Sequence, residues 1–211
     1  MYTPAHFAAD DDVTRELLAS AGAAHLVSAT AEGLIATRLP YVWAPGVGAH
    51  GALQAHVART NDQWRRPPIG EAMAILHGPD AYVTPSWYAT KAEHGRVVPT
   101  WNYLTAHVYG RLVVRDDEDW LAAHVRALTG RFEAERPEPW AVDDAPPAFV
   151  AGQLRAVVGL ELVVTRVEAK AKLSQNRPPA DRDGVAAGFE AAGDARMADA
   201  VRTAARRKVG T

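Results

Sequence analysis

"AHLVSATAEGLIATRLPYVW", residues 24–43, decides how this chain folds. Two β-rich runs, Leu26–Thr30 and Leu34–Trp43, are separated only by a turn around Glu32 and Gly33. A link that short joins strands running in opposite directions, because parallel neighbours need a long crossover. The rest of the chain repeats the arrangement. "GALQAHVAR" (51–59) reads as a third strand after a glycine-rich turn. "AMAILHG" (72–78) and "AYVTP" (81–85) read as a fourth, broken at Gly78-Pro79. "NYLTAHVYGRLVVR" (102–115) reads as a fifth, with Thr105, His107, Tyr109 and Arg111 on one face and Ala106, Val108 and Leu112 on the other. "AVVGLELVVTRVEAKAKL" (156–173) is the most β-like stretch, with Val158, Leu160, Leu162 and Val164 sharing a face.

Helical patterns flank these strands. Asp10–Asp12 caps a helix running to about Ala21. Trp120, Leu121, Val125, Leu128 and Phe132 recur at helical spacing within Asp116–Glu135. Pro146 and Pro147 suit the first turn of a short helix through Leu154. One alanine-rich helix is expected from about Gly184 to Lys208. The fold class is therefore mainly β with peripheral helices (α+β), an antiparallel β-barrel. Residues 1–178 form the barrel domain, and 179–211 a loop and helical tail packed on it.

The 211 residues include 48% hydrophobic side chains, enough for a sizeable core. A net charge of −2 excludes a protein that grips nucleic acid along its whole surface. With no cysteine, the chain has no disulfide, thiolate metal site or cysteine nucleophile. "MYTPAHFAADDD" lacks the basic start and apolar run of a signal peptide, and no apolar run is long enough to span a bilayer. A cytoplasmic protein without a membrane partner is expected. The eight histidines are scattered and show no zinc-ligand spacing, so no metal site is assigned.

"HVARTNDQWRRPP" (56–68) places Arg59, Thr60, Asn61 and Gln63 where a strand gives way to a short helix. Those donors either meet a phosphate or simply cap the helix, with Asn61 as N-cap. "HGPDAYVTPSWYATKAEHGRVVPTWNY" (77–103) carries Trp87, Tyr88, Trp101 and Tyr103 around the polar loop "ATKAEHGR". Such aromatics fill a core, seal an interface, or wall a pocket for a flat molecule. The loop is a lid or a plain hairpin connection.

Six stretches, "MYTPAHF", "GLIATRLPYV", "HVARTNDQW", "GPDAYVTPSWY", "VPTWNYLTAHVYG" and "KLSQNRP", stand in the order found in the PaiB-type FMN-binding negative transcriptional regulators, a family this chain resembles. The resemblance implies an antiparallel split β-barrel of the FMN-binding, pyridoxamine-phosphate-oxidase type. It implies a homodimer with FMN at the subunit interface and a negative transcriptional role. By the family's layout, Ala36, Thr37, Arg38 and Leu39 run beside the flavin ring. Arg59, Asn61 and Gln63 hold the phosphate, Trp101 and Asn102 of the other subunit close over the ring, and Lys172 and Gln175 complete the pocket. Trp101 then reads as pocket wall, and Trp87 stays open between the two roles. Arg38 departs from the histidine common at that place, which bears on side-chain contacts there and not on backbone ones. The resemblance extends to haem-dependent piperazate synthases, which make His56 an axial ligand candidate and haem b the alternative cofactor. A flavin-dependent oxidoreductase is the other enzymatic reading, with His56, Tyr88 and His107 as proton donors. DNA is a partner only through the basic end "RTAARRKVG" (202–210), since no helix-turn-helix pattern occurs.

Overall fold

Ala23–Thr30 (β1) and Gly33–Ala44 (β2) pair antiparallel from Ala23↔Pro40 to Thr30↔Gly33. Gly33 turns the chain at φ 112°, a conformation open to glycine and costly for any side chain. Thr30 Oγ1 locks the turn by donating to the Gly33 carbonyl at 2.8 Å. Four further strands follow: Ala52–Ala58 (β3), Ala72–Val83 (β4), Thr100–Arg115 (β5) and Val157–Lys172 (β6). In this computed structural model, which describes residues 1–209 and only the backbone of the last three, the strands close a barrel in the order β1-β2-β3-β6-β5-β4. The β1–β2, β1–β4, β2–β3 and β3–β6 ladders are all antiparallel. The basic end "RTAARRKVG" falls partly outside the described residues.

The helices are Asp11–Ser20 (α1), Asp62–Arg65 (α2), Thr90–His94 (α3), Glu118–Glu133 (α4), Pro147–Arg155 (α5), Pro179–Ala191 (α6) and Ala195–Val209 (α7). Their starts follow from their caps. The Asp10 carboxylate accepts from Val13 N at 2.8 Å, and that of Asp117 from Trp120 N at 2.8 Å. Proline occupies the first turn of α5 and α6.

Three local expectations need correction. The fourth strand is not broken at Gly78-Pro79. Gly78 serves close packing instead, since a Cβ there would stand 2.9 Å from that of Leu104. The alanine-rich end is two helices, divided at Gly193 (φ 83°), where Asp194 accepts from Met197 N at 2.9 Å and starts α7. The polar loop "ATKAEHGR" holds the helix α3, closed by Gly95 in the left-handed region.

The chain packs as two compact units. One comprises residues 18–76 and 107–167 and holds most of the barrel. Its interior is filled by Leu26, Leu39, Leu53, Leu112, Leu160 and Leu162, leaving a void of about 10 Å³. That is room for about one water among these leucines. α4 seats on this unit through Trp120, whose ring lies where a Cβ on Gly159 would be, 2.3 Å away.

The other unit comprises residues 1–17, 77–106 and 168–211. Its core gathers Val83, Tyr88, Leu173, Val185, Phe189, Met197 and Val201. Trp87 packs, partly buried, against that core. It meets Phe189 edge-on at 4.9 Å, and a Cβ on Gly188 would come within 2.3 Å of its indole. Among the described residues, no helix is long and apolar enough to cross a membrane.

Candidate functional site

Strand β2 has only two neighbours in the barrel, β1 and β3. Its ladder with β3 covers Tyr41–Ala44 alone, so Gly33–Pro40 has no strand on that side. Ala36 and Arg38 are exposed there, and Leu34 is 79% exposed. Thr37 and Leu39 alternate to the other face, Leu39 being buried in the barrel. The length Ala36–Leu39 thus combines backbone groups lacking a second strand with small or mobile outward side chains.

The residues expected to grip a phosphate are engaged otherwise. Gln63 is fully buried. Its Nε2 donates to Ser28 Oγ at 2.8 Å, and its Oε1 accepts from Thr37 Oγ1 at 3.1 Å. Asn61 is the N-cap of α2, accepting from Gln63 N at 2.8 Å. Arg59 uses four donors within the chain: two to the Asp116 carboxylate at 2.5 and 3.0 Å, and one each to the Arg155 and Val157 carbonyls. That clamp ties the end of β3 to the start of β6 and the approach to α4. The capping alternative for this motif describes its geometry.

His56 points from β3 towards α4. Its Nδ1 lies 3.0 Å from His124 Nε2, and His124 stacks on Trp120 at 5.2 Å. Among the described residues, the buried His124 Nδ1 has no hydrogen-bond partner. Burial holds His56 below the ordinary imidazole range. His124 is pushed down to about 4, chiefly by burial and then by His56. Both rings are neutral near pH 7, sharing one proton across their contact.

In the other unit, the remaining expected residues form one cluster. Trp101 is 49% exposed, with its ring 6.3 Å from that of the exposed Tyr82. Asn102 is buried, and its amide exchanges hydrogen bonds with Ser174 Oγ at 3.0 and 3.2 Å. Gln175 is also buried and braces the turn at the end of β6, donating to the Ala171 carbonyl at 2.6 Å and accepting from Leu173 N at 2.7 Å. Ser174 holds φ 66°, a conformation unusual outside glycine, so this turn is over-determined by its side chains. Lys172 Nζ donates to Thr100 Oγ1 and to the Trp101 carbonyl. Its ammonium is held below the usual lysine range by burial first, then by Lys170 and Arg177.

Sequence comparison adds what this geometry leaves open. Residues 1–166 match the family described as "Putative FMN-binding domain". The chain belongs to this FMN-binding family. An uncharacterized protein of Aspergillus fumigatus is 35% identical over 158 residues, 67% of this chain and 60% of that protein. The protease synthase and sporulation protein PAI 2 of Bacillus subtilis is 32% identical over 133 residues, 63% of this chain and 61% of that protein. The chain therefore spans about three-fifths of the length of these relatives. Among solved structures, an FAD and heme binding protein from Mycobacterium smegmatis superposes with a TM-score of 0.54 at 17% identity, covering 77% of this chain and 71% of that one. That likeness concerns the fold.

For a member of the FMN-binding family, the two ends of the expected flavin site fit unequally. The β2 length suits a planar group, because its backbone has no strand on one side and its outward side chains are exposed. In the Arg59–Gln63 motif, the Arg59 guanidinium and the Gln63 amide are engaged within the chain, while Asn61 is engaged through its oxygen as the N-cap. Sequence reasoning missed His124, Ser28, Lys170 and Arg177. Only the last two carried a signal, the alternation of "KAK" (170–172) and the arginine closing "KLSQNRP" (172–178).

Proposed function

We propose that this chain binds FMN as a homodimer, with the ring lying along Ala36–Leu39 of one copy and Trp101 supplied by the other. The observation that carries this reading is the length of β2 beyond Tyr41, which lacks a strand on one side. Backbone groups there are ready donors and acceptors for the polar rim of a flavin. Ala36 offers no bulk against a ring, and the half-exposed Trp101 offers an aromatic face. Asn102 acts from behind, fixing the strand that presents Trp101 through its contact with Ser174. FMN, when bound, supplies electron transfer that the side chains lack. A cytoplasmic setting is consistent with the absence of cysteine.

The test is an absorbance spectrum of the purified protein, before and after adding FMN, with its mass in solution. A two-banded flavin spectrum at dimer mass supports the proposal. A colourless monomer that takes up no FMN refutes it. A haem reading rests on His56, whose Nδ1 is already paired and whose Nε2 is thus the nitrogen left for iron. A Soret band that is lost on His56→Ala would support haem in place of flavin.

A negative regulatory role fits this chain best as an indirect one. Its net charge is −2, and it offers little for the phosphate backbone of DNA. A mobility-shift assay at moderate salt decides the point, and a sequence-specific shift would show direct repression.

A further inference from the structure

Lys170, Lys172 and Arg177 stand together around the end of β6. Lys170 is 9% exposed, with its Nζ 5.4 Å from the Tyr103 ring centroid and 5.7 Å from that of Tyr2. Lys172 Nζ is 6.0 Å from the same Tyr103 centroid. The Arg177 guanidinium lies 4.5 Å over the Tyr88 ring. Lys170 and Arg177 both lie close enough to act on the Lys172 ammonium as like charges. Aromatic faces and carbonyls partly compensate the charges, and the buried Asp181 carboxylate lies near Tyr88, the ring under Arg177. A half-buried cluster of one sign is an energetic liability unless a ligand of the other sign completes it.

The cluster is also held in shape. Gln175 spends both ends of its amide on the backbone at Ala171 and Leu173, and Ser174 is pinned by Asn102. Arg177 N closes the turn on the Ser174 carbonyl at 3.0 Å. Gln175 and Ser174 are therefore positioning residues. They present Lys172 and Arg177 in a fixed relation, which lowers the ordering cost of binding. We propose that Lys170, Lys172 and Arg177 form an oxyanion-binding site for a phosphate or carboxylate group, beside the exposed ring of Trp101. This deepens the FMN reading, because the oxyanion is either the phosphate of FMN itself or an anionic group on a separate ligand. In the first case it takes the role expected of the Arg59 motif.

The experiment uses the full chain and a double variant, Lys172→Gln with Arg177→Gln. Lys170 is left intact because it is buried. A thermal melt confirms that the double variant is folded. Flavin fluorescence gives the affinities for FMN and for riboflavin, which lacks the phosphate, and calorimetry gives the affinity for inorganic phosphate. If FMN supplies the oxyanion, the wild-type chain prefers FMN to riboflavin by about tenfold or more, and the double variant loses that preference while binding riboflavin unchanged. If a separate ligand supplies it, flavin-loaded wild type binds inorganic phosphate and the double variant does not. Should neither FMN preference nor phosphate binding respond to the double variant, the site is disproved. Failure of both flavins to bind overturns the FMN reading, and the phosphate measurement then still decides the oxyanion site.

Discussion

Replacing Gln63 with alanine separates a ligand contact from a structural brace. The buried amide joins Ser28 on β1 to Thr37 on β2, so Gln63→Ala removes two side-chain hydrogen bonds. Ser28 is 1% exposed, and its hydroxyl would lose that partner out of reach of water, at a cost of about 1–3 kcal/mol. Thr37 is half-exposed and recovers its loss from solvent. The vacated space adds about 1–2 kcal/mol, because a packed interior closes only partly over a truncation. The expected total is about 3 kcal/mol, a fall in Tm of about 6–12 °C for a chain of this size. Thr37→Val, which removes one of the two bonds, should cost about 1 kcal/mol. The assay is urea unfolding of the flavin-free protein beside an FMN titration at a temperature where both proteins are folded. Gln63→Ala should lower stability and leave FMN affinity unchanged. Unaltered stability with an approximately tenfold loss of FMN affinity would refute the brace and restore Gln63 as a phosphate contact.

Four further outcomes are expected. Arg59→Gln should leave FMN affinity within about twofold of wild type, in the same titration, because its donors serve Asp116 and two carbonyls. Gly159→Ala should destabilise by about 2–3 kcal/mol in urea unfolding, since the new Cβ meets the Trp120 ring at 2.3 Å. His124 has a folded pKa of about 4 against 6.5 unfolded, so its contribution is complete above pH 6.5 and is lost as pH falls towards 4. That loss is on the order of 3 kcal/mol, and stability measured against pH should be flatter in His124→Phe across this window. Leu34→Glu, on the outer face of β2, should shift the mass in solution towards monomer and weaken FMN binding with it.

What could be read in advance divides along physical lines. The β1–β2 hairpin was legible because its turn and its alternation are both local. So was the cap of α1, which depends on residues three apart. The division between α6 and α7 was hidden because Gly193 stands in an alanine-rich run without a proline to mark it. Gln63 was misplaced for a different reason. A polar residue beside arginine and asparagine looks like a ligand donor, whereas its partners lie 35 and 26 residues away on two other strands. His56 meets His124 across 68 residues, and no local pattern announces that contact. "KLSQNRP" was recognised as a unit, but only its three-dimensional arrangement separates the residues that brace the turn from the cations it presents.

The unladdered length of β2 has a consequence for handling the protein as well as for its chemistry. Such a margin invites stray segments to add to it, and 79% exposure of Leu34 makes it adhesive. Pro40, with no N–H to offer, blunts one end of this margin. Pairing of two copies would mask the rest, so dilution should cost both stability and solubility. Precipitation of dilute samples would then reflect lost mutual protection more than weakness within each copy.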